Sequence, residues 1–239
     1  MKRQQPSLGN RLCRRHLLKA AAGLAVAGLP ATARGAENTG AQQPQPAADQ
    51  RVVRRGLINQ SVCAWCFTKF MSLEELARHV AAMGVRSIEL VDPKDWPILK
   101  KYGLICALTG SHGFVEGFNR KENHQMCIER IQRSVDACAE AGFPTVITFS
   151  GFRKGMPDDV GLKNTIEGLK KVIGYAEKKK VTLCLEVLNS RVDVEMKGHP
   201  DYMCDKVEWA VEVCKAIGSP RMTFLFDIYH VQIMQGDLI

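Results

Sequence analysis

Residues 162–188, LKNTIEGLKKVIGYAEKKKVTLCLEVL, contain the pattern that decides the fold. The apolar residues between 162 and 176 recur at intervals of three and four, which places them on one face of a helix. Residues 181–188 follow as an almost continuous apolar run, which is typical of a strand covered on both faces. The stretch therefore predicts a helix followed by a buried strand.

The same unit recurs along the chain. Five helical patterns alternate with six strand-like runs, and a glycine often marks the change from helix to strand. The predicted strands are 57–62, 85–91, 104–109, 144–150, 181–188 and 222–226. Such alternation produces right-handed crossovers and a parallel sheet. Because no G-x-G-x-x-G or G-x-x-x-x-G-K-[ST] sequence follows a predicted strand, the pattern favours a (β/α)8 TIM barrel over a doubly wound nucleotide-binding sheet.

The length of the chain limits this barrel. The chain has 239 residues, and a full barrel alone takes roughly 250. The region that we expect to fold, 55–239, contains the six predicted strands and ends in what should be an opening helix. We therefore predict an α/β fold of the TIM-barrel type, apparently truncated after strand six, with the first and sixth strands as open edges.

The first 36 residues have the features of an export signal. Arg14 and Arg15 precede a short apolar run and then a segment of small residues, which is the order of a charged region, an apolar region and a cleavage site. The apolar run is shorter than the roughly 20 residues of a membrane span. We predict a twin-arginine (Tat) signal peptide at 1–36, a disordered linker at 37–54, and export to the periplasm or another extracytoplasmic site. The alternatives are an ordinary secretory leader and an uncleaved amphipathic anchor.

The formal net charge of +8 comes mainly from this leader. Residues 1–36 contain seven Lys and Arg residues and no acidic residue, so the remaining 26 basic residues almost balance the 25 acidic ones. We therefore expect no nucleic-acid partner for the folded region, and membrane contact only through the export signal. Most of the nine cysteines lie in apolar runs, which predicts buried free thiols rather than disulfides.

Polar side chains end several of the predicted strands. Glu186 ends the run LCLE, Asp227 ends the run FLFD, and His230 follows three residues later. His112 follows the third predicted strand, and His199 lies in the segment after the fifth. The carboxyl ends of barrel strands form the active site. Burying a carboxylate there is costly unless it has a partner, and two carboxylates on neighbouring strands could share a hard divalent cation such as Mg²⁺ or Mn²⁺.

Simpler roles remain open for each of these residues. Glu186 could pair with Arg191, and Asp227 could cap the helix that follows it. The three histidines could be core or loop residues with satisfied hydrogen bonds. Glu89, which lies near the end of the second predicted strand, is a weaker candidate for the site.

Three strings of residues resemble the hydroxypyruvate isomerase family. They are LCLEVLN at 183–189, KGHPDYM at 197–203 and FDIYHVQ at 226–232. This family belongs to the xylose isomerase-like sugar isomerases and epimerases. Residues 59–67 and 119–124 are also similar to it, and the resemblance extends over nearly the whole predicted barrel.

The resemblance implies one divalent metal ion near the barrel axis. It implies that Glu186 ligates the metal and serves as one acid/base group, that Asp227 is a second metal ligand, and that His230 contacts the substrate. The family takes a further ligand from strand seven and a second glutamate from strand eight, and this sequence ends before both.

The expected activity is a divalent-metal-dependent aldose–ketose isomerisation of hydroxypyruvate or a related small keto-sugar through an enediolate. His112 and His199 are expected to bind this small substrate together with His230. A sugar 3-epimerase of the same superfamily and a degenerate exported sugar-binding barrel are the alternatives, and the resemblance allows a homo-oligomer.

Two rival functions have weaker support. Cys63 and Cys66 form a C-x-x-C sequence, which in thioredoxin-like folds is a redox dithiol. The chain around it lacks a thioredoxin-like pattern. A barrel that cuts DNA at abasic sites would need a histidine-rich zinc site and a basic face, and the nearly neutral folded region argues against it.

Overall fold

The structure is a computed structural model that describes residues 52–53, 55–195 and 197–236. The predicted signal peptide and all of the predicted linker except residues 52 and 53 lie outside the described residues. The α-helices of the described part are α1 (Leu73–Ala82), α2 (Trp96–Lys101), α3 (His124–Ala141), α4 (Asp158–Lys179), α5 (Val207–Ile217) and α6 (Ile228–Gln235). The strands are β1 (Ser61–Cys63), β2 (Ser87–Glu89), β3 (Thr145–Thr148), β4 (Thr182–Glu186) and β5 (Met222–Leu225). None of these helices is long and apolar enough to cross a membrane.

All of the strand pairs are parallel. β1 pairs with β2, and β3, β4 and β5 pair in sequence order. Each pair is separated along the chain by helical segments, as the alternating pattern predicts. No pairing joins β5 to β1 among the described residues, so these strands do not close into a barrel.

The third predicted strand, 104–109, is the exception. It forms isolated bridges from Ile105 to Ser87 and from Thr109 to Val146 instead of a regular strand. The chain bends at residues 107 and 108, and the Cys106 thiol donates locally to the Leu108 carbonyl, at 3.2 Å. Because of this bend, the segment pairs first beside β2 and then beside β3, so it connects the two parts of the sheet. The prediction that 104–109 forms a regular strand was wrong. Its predicted place between β2 and β3 was right.

Helix α1 begins with a capping box. The Ser72 hydroxyl accepts from the Glu75 amide at 3.2 Å, and the Glu75 carboxylate accepts from the Ser72 amide at 2.9 Å. These two bonds satisfy amide groups that the first turn of a helix leaves without partners. Leu76, Ala77 and Val80 lie buried on the inner face of the helix.

Asn119 and Glu122 have the spacing of a helix start in the sequence, but helix α3 begins later. A 3-10 turn at Lys121–Asn123 precedes its first α-helical residue, His124. Asn119 is instead fully buried, and its amide donates to the Phe152 carbonyl at 2.7 Å. It therefore links two loops at the carboxyl edge of the sheet rather than capping a helix.

The core lies between the sheet and the helices that cover it. Leu183 and Leu185 of β4 are fully buried, as are Ile131 and Val135 of α3. The eight cysteines in the described part of the chain are free thiols, and most of them are buried among apolar side chains, as expected. This core fixes the positions at which the strands end and so places the polar residues that follow them.

Candidate active site

A pocket of about 620 Å³ lies at the carboxyl ends of the strands. All five site residues proposed from the sequence line this pocket: Glu186, Asp227, His112, His199 and His230. Glu89, the weaker candidate, lines it too. Apolar side chains form most of the remaining wall, among them Trp65, Phe114, Phe149 and Leu188.

The pairing of β4 with β5 brings the two carboxylates to this pocket. Glu186 is in register with Leu225, so Asp227 follows two residues beyond its partner position. Because the strands are parallel, both side chains emerge at the same edge of the sheet. The two side chains are close enough to interact, since the charge of Asp227 contributes to the raised pKa of Glu186.

Glu186 is a partly buried carboxyl group at the wall of the pocket. Burial, with the neighbouring charge of Asp227, raises its pKa to about 8. It takes part in none of the ion pairs among the described residues. The suggested partner, Arg191, donates instead to the Ile233 carbonyl at 3.0 Å. The structure therefore does not contain the simple ion pair that the sequence left open.

Asp227 has two roles at once. One carboxylate oxygen accepts from the His230 amide at 3.2 Å, which makes Asp227 the N-cap of α6. The same side chain lines the pocket beside Glu186. Its other oxygen has no hydrogen-bond partner among the described residues, so capping the helix leaves one oxygen available to a ligand.

His230 is buried and held by Asn189. The backbone amide and the side-chain amide of Asn189 lie 3.1 and 2.6 Å from His230 Nδ1. Two donors at Nδ1 make this nitrogen the acceptor, so in the neutral ring the proton is assigned to Nε2. Burial lowers the pKa of His230, although the nearby charge of Asp227 opposes this shift. In this neutral state, the Nε2 proton of His230 is a hydrogen-bond donor at the pocket.

Asn189 supports the site through its bonds to His230, and its position after β4 does not mark it as functional. It is fully buried, and it also accepts from the Val192 amide at 3.1 Å and donates to the Lys197 carbonyl at 2.8 Å. It therefore fixes both the His230 ring and the segment that leads to His199. Its only signal in the sequence was its place at the end of the string LCLEVLN.

Replacing Asn189 by Asp is expected to raise the pKa of His230. The carboxylate would place an acceptor beside Nδ1, so the ring would gain stability by taking a proton there. An NMR titration of the histidine rings measures this change. The control is Asn164→Asp, since the Asn164 amide bonds to the Asn119 carbonyl and not to a histidine. An unchanged pKa of His230 in Asn189→Asp would show that Asn189 does not set its protonation state.

His199 lies between aromatic residues. Its ring centroid is 4.3 Å from that of Phe114 and 5.7 Å from that of His230. Burial, followed by the effect of His230, lowers its pKa. Its backbone amide donates to the Asn189 carbonyl at 2.9 Å, so this ring is positioned by the same asparagine as His230.

His112 lines the pocket, but the protein engages both of its ring nitrogens. Nδ1 lies 3.0 and 3.1 Å from the carbonyls of Gly113 and Glu116, and Nε2 lies 2.9 Å from the Thr148 hydroxyl. Burial is the main cause of its lowered pKa. The structure therefore places His112 as a wall of the pocket, and its predicted contact with a substrate stays a prediction.

Tyr202 is a second residue that the sequence did not single out as functional. It is fully buried, and its hydroxyl accepts from the Ser150 amide at 3.1 Å and donates to the Glu186 carbonyl at 2.9 Å. Its hydroxyl therefore ties the end of β4, which carries Glu186, to the chain that follows β3.

The carboxylate pair suits a hard cation. Mg²⁺ in proteins is commonly held by one or two carboxylates and keeps several waters. Glu186 and Asp227 offer oxygen ligands of this kind on one wall of a pocket with room for water. Within the described ranges, no group of three or more His, Cys, Asp or Glu side chains is arranged as a metal-binding cluster. The described residues thus include two carboxyl groups that could serve as ligands of such an ion.

Comparisons with known proteins agree with this architecture. A family model described as Xylose isomerase-like TIM barrel matches residues 77–239. Comparison with curated proteins gives no match.

Several solved structures are similar to the chain. An AP endonuclease of family 2 from Brucella melitensis has 21% sequence identity and a TM-score of 0.62, covering 76% of this chain and 73% of that one. D-psicose 3-epimerase from Clostridium cellulolyticum H10 has 12% identity and a TM-score of 0.60, with coverages of 76% and 67%. A 3-keto-D-glucoside 4-epimerase from E. coli has 17% identity and a TM-score of 0.59, with coverages of 76% and 72%. At these identities the similarity shows a shared fold, and together with the family match it shows that the chain belongs to the xylose isomerase-like TIM barrel family.

Proposed function

We propose that this protein is a divalent-metal-dependent isomerase of small α-hydroxy carbonyl compounds, with hydroxypyruvate or a related keto-sugar as its substrate. The observation that carries the proposal is the Glu186–Asp227 carboxylate pair at the ends of β4 and β5 in the pocket. The membership of the family supports a sugar isomerase or epimerase, and the resemblance to hydroxypyruvate isomerases supports the finer assignment. Export by a twin-arginine signal to the periplasm is part of the same proposal.

The reaction moves a proton between two neighbouring carbons of the substrate. Loss of a proton beside a carbonyl gives an enediolate. Return of a proton to the other carbon, together with transfer of the hydroxyl proton from one substrate oxygen to the other, gives the isomer. We assign to Glu186 the transfer of the proton, because its carboxyl group lines the pocket beside Asp227 and because the resemblance gives the corresponding glutamate this acid/base role. A Mg²⁺ or Mn²⁺ ion held by Glu186 and Asp227 would supply positive charge to stabilise the enediolate.

The other pocket residues orient the substrate. The neutral His230 ring, whose Nδ1 accepts from Asn189, presents its Nε2 proton to a substrate oxygen. The His199 ring lies beside it and can contact a hydroxyl or carboxylate of the same molecule. Trp65, Phe114 and Phe149 form apolar walls, which reduce the access of water to the charged intermediate.

A 3-epimerase is the second candidate. Two of the similar structures are named as epimerases, and removal of a proton beside a carbonyl is the first step of either reaction. The two reactions differ in which atom receives the proton, since an isomerase returns it to the neighbouring carbon and an epimerase to the opposite face of the same carbon.

Proton exchange with solvent tests the proposal. The purified chain is stripped of metal, supplied with Mg²⁺ or Mn²⁺ in deuterium oxide, and incubated with hydroxypyruvate and a panel of ketoses. We expect metal-dependent deuterium incorporation, with an isomeric product for one of the substrates. Incorporation with inversion at one carbon would assign an epimerase. Mn²⁺ binding without exchange into any substrate would contradict catalysis and indicate a sugar-binding barrel.

A further inference from the structure

Two cysteines lie together at the entrance of the pocket. Cys63 is the last residue of β1 and lines the pocket, and Cys66 is exposed. Between them, the 3-10 turn Ala64–Cys66 carries Trp65, whose side chain also lines the pocket. The thioredoxin-like interpretation of this C-x-x-C sequence does not fit the fold, and the proposed isomerase reaction does not use these thiols. The pair is therefore without an assigned role.

The turn holds the two thiols within reach of each other. It is closed by the bond from the Phe67 amide to the Ala64 carbonyl, at 3.0 Å. Cys63 is the extended residue just before the turn, and a 3-10 turn rises roughly 2 Å per residue, so the Cα atoms of Cys63 and Cys66 lie about 6 Å apart. This spacing is inside the range of roughly 4.4–6.8 Å between Cα atoms that a disulfide requires.

The surroundings give the two thiols different chemical roles. Burial is the main cause that raises the pKa of Cys63 to about 12, and the neighbouring Cys66 thiol and the charge of Glu89 also contribute. Glu89 is the residue of β2 in register with Cys63. Cys66 is exposed to solvent, so it is the thiol that a reagent in solution reaches first.

We propose that Cys63 and Cys66 form a reversible disulfide by exchange with a small-molecule disulfide, and that this oxidation constrains Trp65 at the entrance of the pocket. In the first step, the Cys66 thiolate attacks a sulfur of the small disulfide, and one small thiolate leaves and takes up the proton that Cys66 lost. In the second step, the Cys63 sulfur attacks Cys66 as its proton leaves, and the second small thiol is released. One small disulfide is thus reduced to two thiols while the protein dithiol is oxidised.

The pair differs from the other cysteines of the described chain. Cys106, Cys127, Cys138, Cys184 and Cys204 are buried. Cys214 is half-buried on α5, and it serves as a matched control. The disulfide would close a ring of four residues around Trp65, so the Trp65 side chain should lose freedom in the oxidised protein.

The test is treatment of the full chain with oxidised glutathione, followed by alkylation of free thiols and mass spectrometry of the peptides. We expect the peptide with both cysteines to be lighter by two hydrogens, with both of its thiols lost on oxidation and both restored by dithiothreitol. Cys214→Ser should behave like the parent chain. Cys63→Ser should instead keep a glutathione group on Cys66, because no second thiol releases it, and Cys66→Ser should be unreactive at this peptide.

Fluorescence provides a second readout. Trp65 is half-exposed, whereas Trp96 and Trp209 are buried, so oxidation should change the emission of the parent chain but not that of Trp65→Phe. Accumulation of a glutathione adduct on Cys66 in the parent chain, or no change at either cysteine, would overturn the proposal. These readouts do not depend on metal or substrate, so their failure would leave the isomerase proposal standing, and the reverse also holds.

Discussion

Glu186→Gln is expected to reduce metal-dependent proton exchange by a factor of about 10²–10⁴, the usual contribution of a positioned general acid or base. The amide keeps the size of the side chain but can neither take up a proton near neutral pH nor offer a charged oxygen to a cation. Mn²⁺ binding should therefore weaken as well, which electron paramagnetic resonance of the free ion measures. The control is Glu212→Gln on the exposed face of α5, which should leave both quantities unchanged.

Glu186→Gln should lower activity, but it should raise the stability of the metal-free protein at alkaline pH. The Glu186 carboxyl has a pKa of about 8 in the folded chain, against an ordinary value of 4.5. Between these values the folded state keeps a proton that the unfolded state has lost, so stability is fully present below about pH 4.5 and falls as the pH rises towards 8. Glutamine does not titrate, so the variant should lose less stability over this window and be the more stable protein at about pH 8.

Urea denaturation of both proteins in the presence of a chelator, at about pH 5 and about pH 8, measures this difference. Equal stability losses in parent and variant would show that the Glu186 carboxyl is not held in a burial-dominated environment. Exchange that persists in the variant, with Mn²⁺ binding intact, would remove Glu186 from the proposed mechanism.

The sequence predicted where the candidate site lies better than it predicted the hydrogen bonds between the residues of the site. Glu186 and Asp227 could be placed together because parallel pairing brings the ends of neighbouring strands to one edge, and each residue directly follows an apolar run. His230 follows from the same argument, since it lies one turn into the helix that Asp227 caps. These placements depend only on local patterns and on one topological rule.

The connections between loops could not be predicted in this way. The bond from Asn189 to His230 joins residues 41 positions apart, and periodicity contains no information about such a pair. The irregular segment 104–109 illustrates the same limit, because its apolar residues fit a strand whereas its pairing changes from β2 to β3 along its length. His112 was placed correctly at the pocket, but the carbonyls that occupy its Nδ1 come from a loop of irregular conformation.

Tyr202 shows how such a connection supports the site. The register of β3 with β4, in which Thr148 lies opposite Leu185, would place the next backbone bond between the Ser150 amide and the Glu186 carbonyl. The Tyr202 hydroxyl instead lies between these two groups and bonds to both. The hydroxyl therefore replaces a backbone hydrogen bond between β3 and β4 with two side-chain bonds. It holds the ends of the two strands apart beside Glu186 and Asp227.

Tyr202→Phe should consequently destabilise the protein by about 2–6 kcal/mol, since it leaves a buried amide and a buried carbonyl without their partner at about 1–3 kcal/mol each. Urea denaturation measures the loss, and Tyr175→Phe is the matched control because the Tyr175 hydroxyl bonds to Asp136 at the surface and should contribute less than about 1 kcal/mol. Mn²⁺ affinity is measured without urea, at a temperature at which the variant remains folded. It should fall several-fold in Tyr202→Phe, because the backbone of Glu186 loses its support. A stability loss no larger than that of Tyr175→Phe would mean that the strands close and form the missing backbone bond directly, in which case the separation of β3 from β4 does not depend on this hydroxyl.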